Sequence, residues 1–140
     1  MKSVLFLCVE NSARSQMAEG IMNALLGANY HAESAGSKPS AVNPLAIKAM
    51  KEIGIDISGQ RSKSVREFRG RTFDYVVTVC GDDEECPYFA GGKHYLHESF
   101  EDPAAAIGNE EERLEAFRRV RDQIRDWIME EFGNEGITSP

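Results

Sequence analysis

Residues 4–25, VLFLCVENSARSQMAEGIMNAL, decide how the chain is read. Val4 to Leu7 is a continuous apolar run, the pattern of a strand buried on both faces. Met17, Ala18, Ile21, Met22 and Leu25 then recur at helical spacing, with Gly27 as a stop. Between them, Cys8-Val9-Glu10-Asn11-Ser12-Ala13-Arg14-Ser15 joins strand to helix. A short loop of this kind turns backbone N–H groups inward and forms a concave anion site at the helix N-terminus. A thiol at its start, Cys8, feels those dipoles and Arg14, and both favour the thiolate. Arg14 offers a planar fork to two oxygens of a tetrahedral oxyanion. Ser15 is placed to hydrogen-bond the thiolate, and Asn11 to hold the loop through side-chain to backbone bonds. The expected oxyanion-binding set is Glu10, Asn11, Ser12, Ala13, Arg14 and Ser15. The plainer alternative is a buried structural cysteine and an unrelated surface arginine.

Further along, Tyr30 to Ser34 reads as a second short strand, and Asn43-Pro44 as a helix start with Asn as cap. Ala46, Met50 and Ile53 give that helix an apolar stripe ended by Gly54. Phe73 to Val79, β-branched and aromatic, is the strongest strand signal, and Lys93 to Leu96 a weaker one. A final helix is expected from about Asn109 to Phe132, its apolar face marked by Leu114, Phe117, Val120, Ile124, Trp127 and Ile128. Glu110 to Glu112 fall in its first turn, where the helix dipole favours acids. This gives one domain over residues 1–132 and a flexible tail over 133–140. Strands alternating with helices imply a parallel sheet, whose ligands bind beyond the carboxyl ends of its strands. Cys8 and Cys80 both fall at such ends.

The chain has 140 residues and a net charge of −7. That length buries roughly 70% of the unfolded surface, enough for a core without staples. The acidic balance argues against non-specific nucleic-acid binding. It also means that an anionic substrate needs a local positive site. No apolar run approaches the roughly 18 residues of a membrane span, and the run ending at Val9 is too short for a signal-peptide core. Three cysteines without a secretion signal point to a reducing cytoplasm and reactive thiols.

The other two cysteines lie in Cys80-Gly81-Asp82-Asp83-Glu84-Glu85-Cys86-Pro87. Gly81 and four mutually repelling acids favour a mobile segment. The alternatives are a core Cys80 with an incidental Cys86, or zinc held by Cys80, Cys86, His94 and His97, a spacing loose for a structural site. Arg61, Lys63, Arg66, Arg69 and Arg71 form a basic stretch, read as a solvated face or as a region that steers an anion or an acidic partner. Glu101-Asp102-Pro103 precedes the last helix, where Asp-Pro is often only a turn former.

Residues 8–20, CVENSARSQMAEG, resemble the active-site loop of the low-molecular-weight protein tyrosine phosphatases and of the thioredoxin-coupled arsenate reductases built on the same fold. Gln16 follows the reductase branch, since the phosphatases usually have Pro there. Ser34-Ala35-Gly36, Asn43-Pro44, Asp56-Ile57-Ser58, Val76-Val77-Thr78 and Asp102-Pro103 also fall in family order, so the resemblance spans residues 3 to about 130. It implies a single-domain, flavodoxin-like three-layer α/β fold with a four-stranded parallel sheet in the order 2-1-3-4.

The resemblance further implies arsenate reduction by three thiols. Cys8 attacks arsenic, Cys80 then attacks the Cys8 sulfur and releases arsenite, and Cys86 takes over the disulfide for thioredoxin. Asp102 is implied as general acid. Phosphate or sulfate serves as an analogue of arsenate. A monomer needing no cofactor and no metal is expected, with no nucleic-acid or membrane partner.

The alternative is a phosphatase working through a Cys8 thiophosphate. Such an enzyme has no use for relay thiols, and Ala104-Ala105-Ala106 lack the aromatic that flanks phosphotyrosine in the phosphatases. There are departures from the family pattern. Glu10 stands where a Gly is common, and Ala13 where a second loop cysteine is frequent. Asn11, Glu19 and Ser34 match a potassium site of some relatives, but Lys63 falls at its Asp, putting an ammonium where the cation would sit. Many relatives also have one more residue between the two relay cysteines.

Overall fold

A computed structural model describes residues 1–133. Four strands, β1 (Lys2–Cys8), β2 (Tyr30–Gly36), β3 (Phe73–Thr78) and β4 (Gly92–His97), form one sheet in the order β2-β1-β3-β4. Every neighbouring pair is parallel. Three helices connect and follow them: α1 (Arg14–Leu25), α2 (Pro44–Lys51) and α3 (Glu110–Phe132). The order and direction are those expected from the sequence. The expected 133–140 tail lies, beyond Gly133, outside the described residues.

β1 is central because both of its faces are apolar. Val4 and Phe6 join the large core under α1, α2 and α3, built on Met17, Ile21, Met50, Phe117 and Ile124. Leu5 and Leu7 face a second, smaller core with Phe68, Phe73, Val76 and Phe89. That second layer is made by a 3-10 turn at Val65–Phe68 and the segment through Phe89. Neither turn of this kind, here or at Pro103–Ala105, is visible in the sequence pattern, since four and three residues are too few to show a period.

Local signals set the element ends. Asn43 caps α2, its side chain accepting the Leu45 N–H at 2.8 Å, with Pro44 in the first turn. Asn109 and Glu112 form a reciprocal capping box at the start of α3. α2 ends at Lys51, before Ile53, and the chain turns through Gly54 at φ 80°. Arg121 of α3 donates to the Ala49 carbonyl at 2.8 Å and to Glu52, tying α3 to the end of α2.

The chain crosses from one side of β1 to the other between β2 and β3, so the switch point lies where β1 and β3 end together. Leu7 is in register with Thr78, and Cys8 with Gly36. Gly36 touches the loop directly: a Cβ there would stand 2.4 Å from the Val9 carbonyl and 2.9 Å from the Asn11 nitrogen. Gly36→Ala is therefore expected to cost about 1–3 kcal/mol in urea unfolding. An unchanged midpoint would show that the loop yields freely.

Candidate functional site

Cys8 closes β1 with its side chain buried, and α1 begins six residues later at Arg14. The Cys8 Sγ and Ser15 Oγ are 2.8 Å apart, and Asn11 Nδ2 donates to the same Ser15 oxygen at 2.7 Å. Ser15 thus has its own donor and can turn its hydroxyl proton to the sulfur. Asn11 adopts φ 50°, a left-handed backbone that asparagine tolerates better than most residues. Its Oδ1 accepts from Gln16 Nε2 and from the Lys63 N–H, both at 2.8 Å. The conformation that bends the loop is therefore held on three sides.

The loop walls a cavity of about 140 Å³ with Cys8, Ser12, Ala13, Arg14, Glu84 and Asp102 among its lining, enough for a small tetrahedral oxyanion. Arg14 is 4% exposed. It donates to the Phe100 carbonyl at 3.0 Å and forks the Glu84 carboxylate, Nη1 to Oε1 and Nη2 to Oε2, the latter at 2.8 Å. Burial works against its charge, but the Glu84 hydrogen bond and the charges of Cys8 and Asp102 outweigh it, so the guanidinium is held more firmly cationic than usual.

Asp102 caps a turn and also lies at the cavity. Its Oδ1 accepts the Ala104 N–H at 3.0 Å, capping the turn, while Oδ2 lies 3.9 Å from Arg14 Nη2 at the cavity. Ala104 adds a methyl group to the same cavity lining. Glu10 is exposed, contributes to the cavity lining, and its carboxylate accepts from the Ser40 hydroxyl at 3.4 Å.

Cys80 and Cys86 are joined in a disulfide, with their Cα atoms 5.9 Å apart. The short spacing thus fits the 4.4–6.8 Å range such bonds need. Cys80 is fully buried, whereas Cys86 is partly open along a groove of about 630 Å³ with Val9, Lys38 and Tyr88. Cys8 is the free thiol. The four residues of the zinc alternative have other partners: its two thiols are joined to each other, His94 packs on the Tyr75 ring and His97 bonds Thr78 at 2.7 Å. Among the described residues no group of three or more His, Cys, Asp or Glu side chains is placed to hold a metal.

Lys63 is buried beside the loop, its Nζ 3.6 Å from Glu19 Oε1 and 3.0 Å from the Arg61 carbonyl. Ser34 donates to the same Glu19 oxygen at 2.6 Å. Burial pushes the Glu19 carboxyl above its ordinary range, against the bonds from Ser34 and Lys63. A carboxylate raised in this way costs stability once the pH exceeds its unfolded value of about 4.3, and the cost grows until the folded value is passed. Lys63→Met removes the compensating charge. It is expected to lose about 3 kcal/mol against wild type at pH 8 and much less near pH 5, as read by urea unfolding across pH. A difference independent of pH would contradict the pairing.

Two of the other four basic residues in the stretch are paired with acids. Arg61 pairs with Glu67, and Arg71 pairs with Glu33 while lying over the Phe68 and Phe73 rings. Glu84 is the site residue that sequence reasoning missed. In the sequence it is one of four adjacent acids, and no spacing rule links it to an arginine 70 positions away. Gln16 shows no structural role in the sequence pattern. In the structure it bridges the loop to its surroundings, donating to Asn11 and to the Arg61 carbonyl and accepting from Gln60.

A parallel α/β sheet with a thiol at the start of an anion loop, an arginine fork and a disulfide at the same edge defines a thiol-based oxyanion enzyme. The chain belongs to the low molecular weight phosphotyrosine protein phosphatase family, whose model matches residues 3–132. It is 48% identical over 124 residues to an arsenate reductase of Halalkalibacterium halodurans, covering 88% of this chain and 89% of that one. Its fold is similar to that of an arsenate reductase in the phosphate binding state, with a TM-score of 0.82 and 36% identity over 96% of this chain and 98% of the other. It is also similar to a thioredoxin-dependent arsenate reductase of Corynebacterium glutamicum, with a TM-score of 0.71 and 29% identity over 99% of this chain and 63% of that one.

Proposed function

We propose that this chain reduces arsenate to arsenite, with Cys8, Cys80 and Cys86 as a relay recycled by thioredoxin. The observation that carries the reading is the Cys80–Cys86 disulfide beside a free Cys8 at one sheet edge, the product state of such a relay. Arsenate enters the 8–15 loop with two oxygens on Arg14, and Asp102 protonates the departing hydroxide as the Cys8 thiolate bonds to arsenic. The Cys80 thiolate then attacks the Cys8 sulfur. The electron pair of the sulfur–arsenic bond stays on arsenic, reducing it from the pentavalent to the trivalent state, and arsenite leaves. Cys86 next attacks Cys80, restoring the Cys8 thiolate and forming the disulfide. The balance is one arsenate and two thiols to one arsenite, one disulfide and one water.

Thioredoxin supplies the next pair of electrons by attacking the disulfide. Cys86 is the sulfur it reaches, since Cys80 is fully buried and Cys86 faces the open groove. The cycle suits a monomer in a reducing cytoplasm, and no described helix is long and apolar enough to cross a membrane. A coupled assay with arsenate, thioredoxin, its reductase and a nicotinamide reductant tests the reading. Sustained reductant oxidation that requires arsenate is expected. Hydrolysis of phosphomonoesters without any arsenate-dependent oxidation would instead establish the phosphatase reading.

A further inference from the structure

With the relay disulfide closed, the arginine fork of the oxyanion loop is already filled. Glu84 lies inside the Cys80–Cys86 ring, and its two carboxylate oxygens take the two terminal nitrogens of Arg14. That is the bidentate geometry an oxyanion requires of the same group. Glu84 Oε1 also accepts the Gly81 N–H at 2.8 Å, which fixes the carboxylate to the backbone beside Cys80. Glu84 forms a wall of the cavity that Cys8, Arg14 and Asp102 line. The hydrogen bonds from Arg14 hold its carboxyl below the ordinary glutamate range, although burial opposes this.

We propose that Glu84 is an internal anion that occupies Arg14 while Cys80–Cys86 is closed and vacates it when that bond is reduced, so that oxyanion affinity is gated by the redox state of the relay. The cause is geometric. The disulfide holds Cα atoms six positions apart at 5.9 Å, and Glu84 rides on that short ring. Opening the bond releases the ring, and the next catalytic cycle requires Cys80 to leave its present seat for Cys8. The oxidised enzyme then does not collect phosphate, which shares the charge and shape of arsenate, before it has been recycled. By linkage the coupling is reciprocal: an oxyanion in the loop favours the reduced relay. The proposal rests on residues 8–15 being the oxyanion loop, and a phosphate measurement separates its failure from that of the reductase reading.

The test is calorimetric titration of inorganic phosphate into the full chain, once fully reduced and once with Cys80–Cys86 oxidised, for wild type, Glu84→Gln, Glu84→Ala and Glu85→Gln. Wild type is expected to bind phosphate at least about tenfold more weakly when oxidised. Both Glu84 variants should bring the two states within about twofold of each other by tightening the oxidised one, while Glu85→Gln keeps the wild-type ratio. A tenfold ratio also raises the midpoint potential of the disulfide by about 30 mV at saturating phosphate, and this rise should vanish in the Glu84 variants. Equal affinities in the two states of wild type overturn the proposal, as does a ratio that survives loss of Glu84. If reduced wild type binds no phosphate, the oxyanion-loop assignment falls and the proposal falls with it, whereas arsenate-dependent turnover is judged separately in the coupled assay.

Discussion

Cys86→Ser is expected to release about one arsenite per enzyme and then stop, while wild type continues for many turnovers. Arsenic is reduced when Cys80 attacks the Cys8 sulfur, a step that precedes any use of Cys86. The variant completes that step and is left with a disulfide between Cys8 and Cys80. Both sulfurs lie in buried positions in the present structure, whereas Cys86 faces the groove where an external thiol can attack. The variant therefore lacks the exit by which oxidation leaves the site. A burst of arsenite equal to the enzyme concentration, followed by a flat line, is the predicted trace. Equal steady rates in variant and wild type would remove Cys86 from the mechanism.

Arg14→Lys is expected to lower kcat/KM for arsenate by about 10²–10³-fold, although it preserves the charge. The arginine presents two nitrogens in one plane and is anchored by the Phe100 carbonyl at 3.0 Å, so its fork is aimed before substrate arrives. An ammonium offers a point charge and cannot hold two oxygens in that plane. Because the fork serves binding and the developing charge alike, KM should rise and kcat should fall. Steady-state kinetics on arsenate checks this. A variant within about threefold of wild type would show that backbone N–H groups alone carry the anion.

Much of this site is legible in the sequence because it is local. The strand Val4–Leu7, the loop from Cys8 to Ser15 and the helix that follows are contiguous, and period and loop chemistry place them without tertiary information. The bond between Ser15 and Cys8 and the bracing role of Asn11 were anticipated from the same stretch. The capped start of α2 is legible for the same reason, since Asn43-Pro44 acts within one turn.

What escaped is what depends on distance along the chain. Glu84 meets Arg14 across 70 positions, and Gly36 meets the loop through the pairing of β1 with β2. Four adjacent acids repel in an extended chain, but once the Cys80–Cys86 ring closes, one of them faces a buried cation and the repulsion is outweighed. The second layer was hidden because a four-residue 3-10 turn at Val65–Phe68 carries too few residues to show a period.

In the proposed relay three thiols deliver one pair of electrons to arsenate and end with the oxidation stored in the Cys80–Cys86 bond. It is tested most directly by mixing the fully reduced chain with arsenate in the absence of any recycling thiol and mapping the cysteines by mass spectrometry. One arsenite per chain, a disulfide between Cys80 and Cys86, and Cys8 as a free thiol are expected. Stoichiometric arsenite release with Cys80 and Cys86 both still reduced would contradict it.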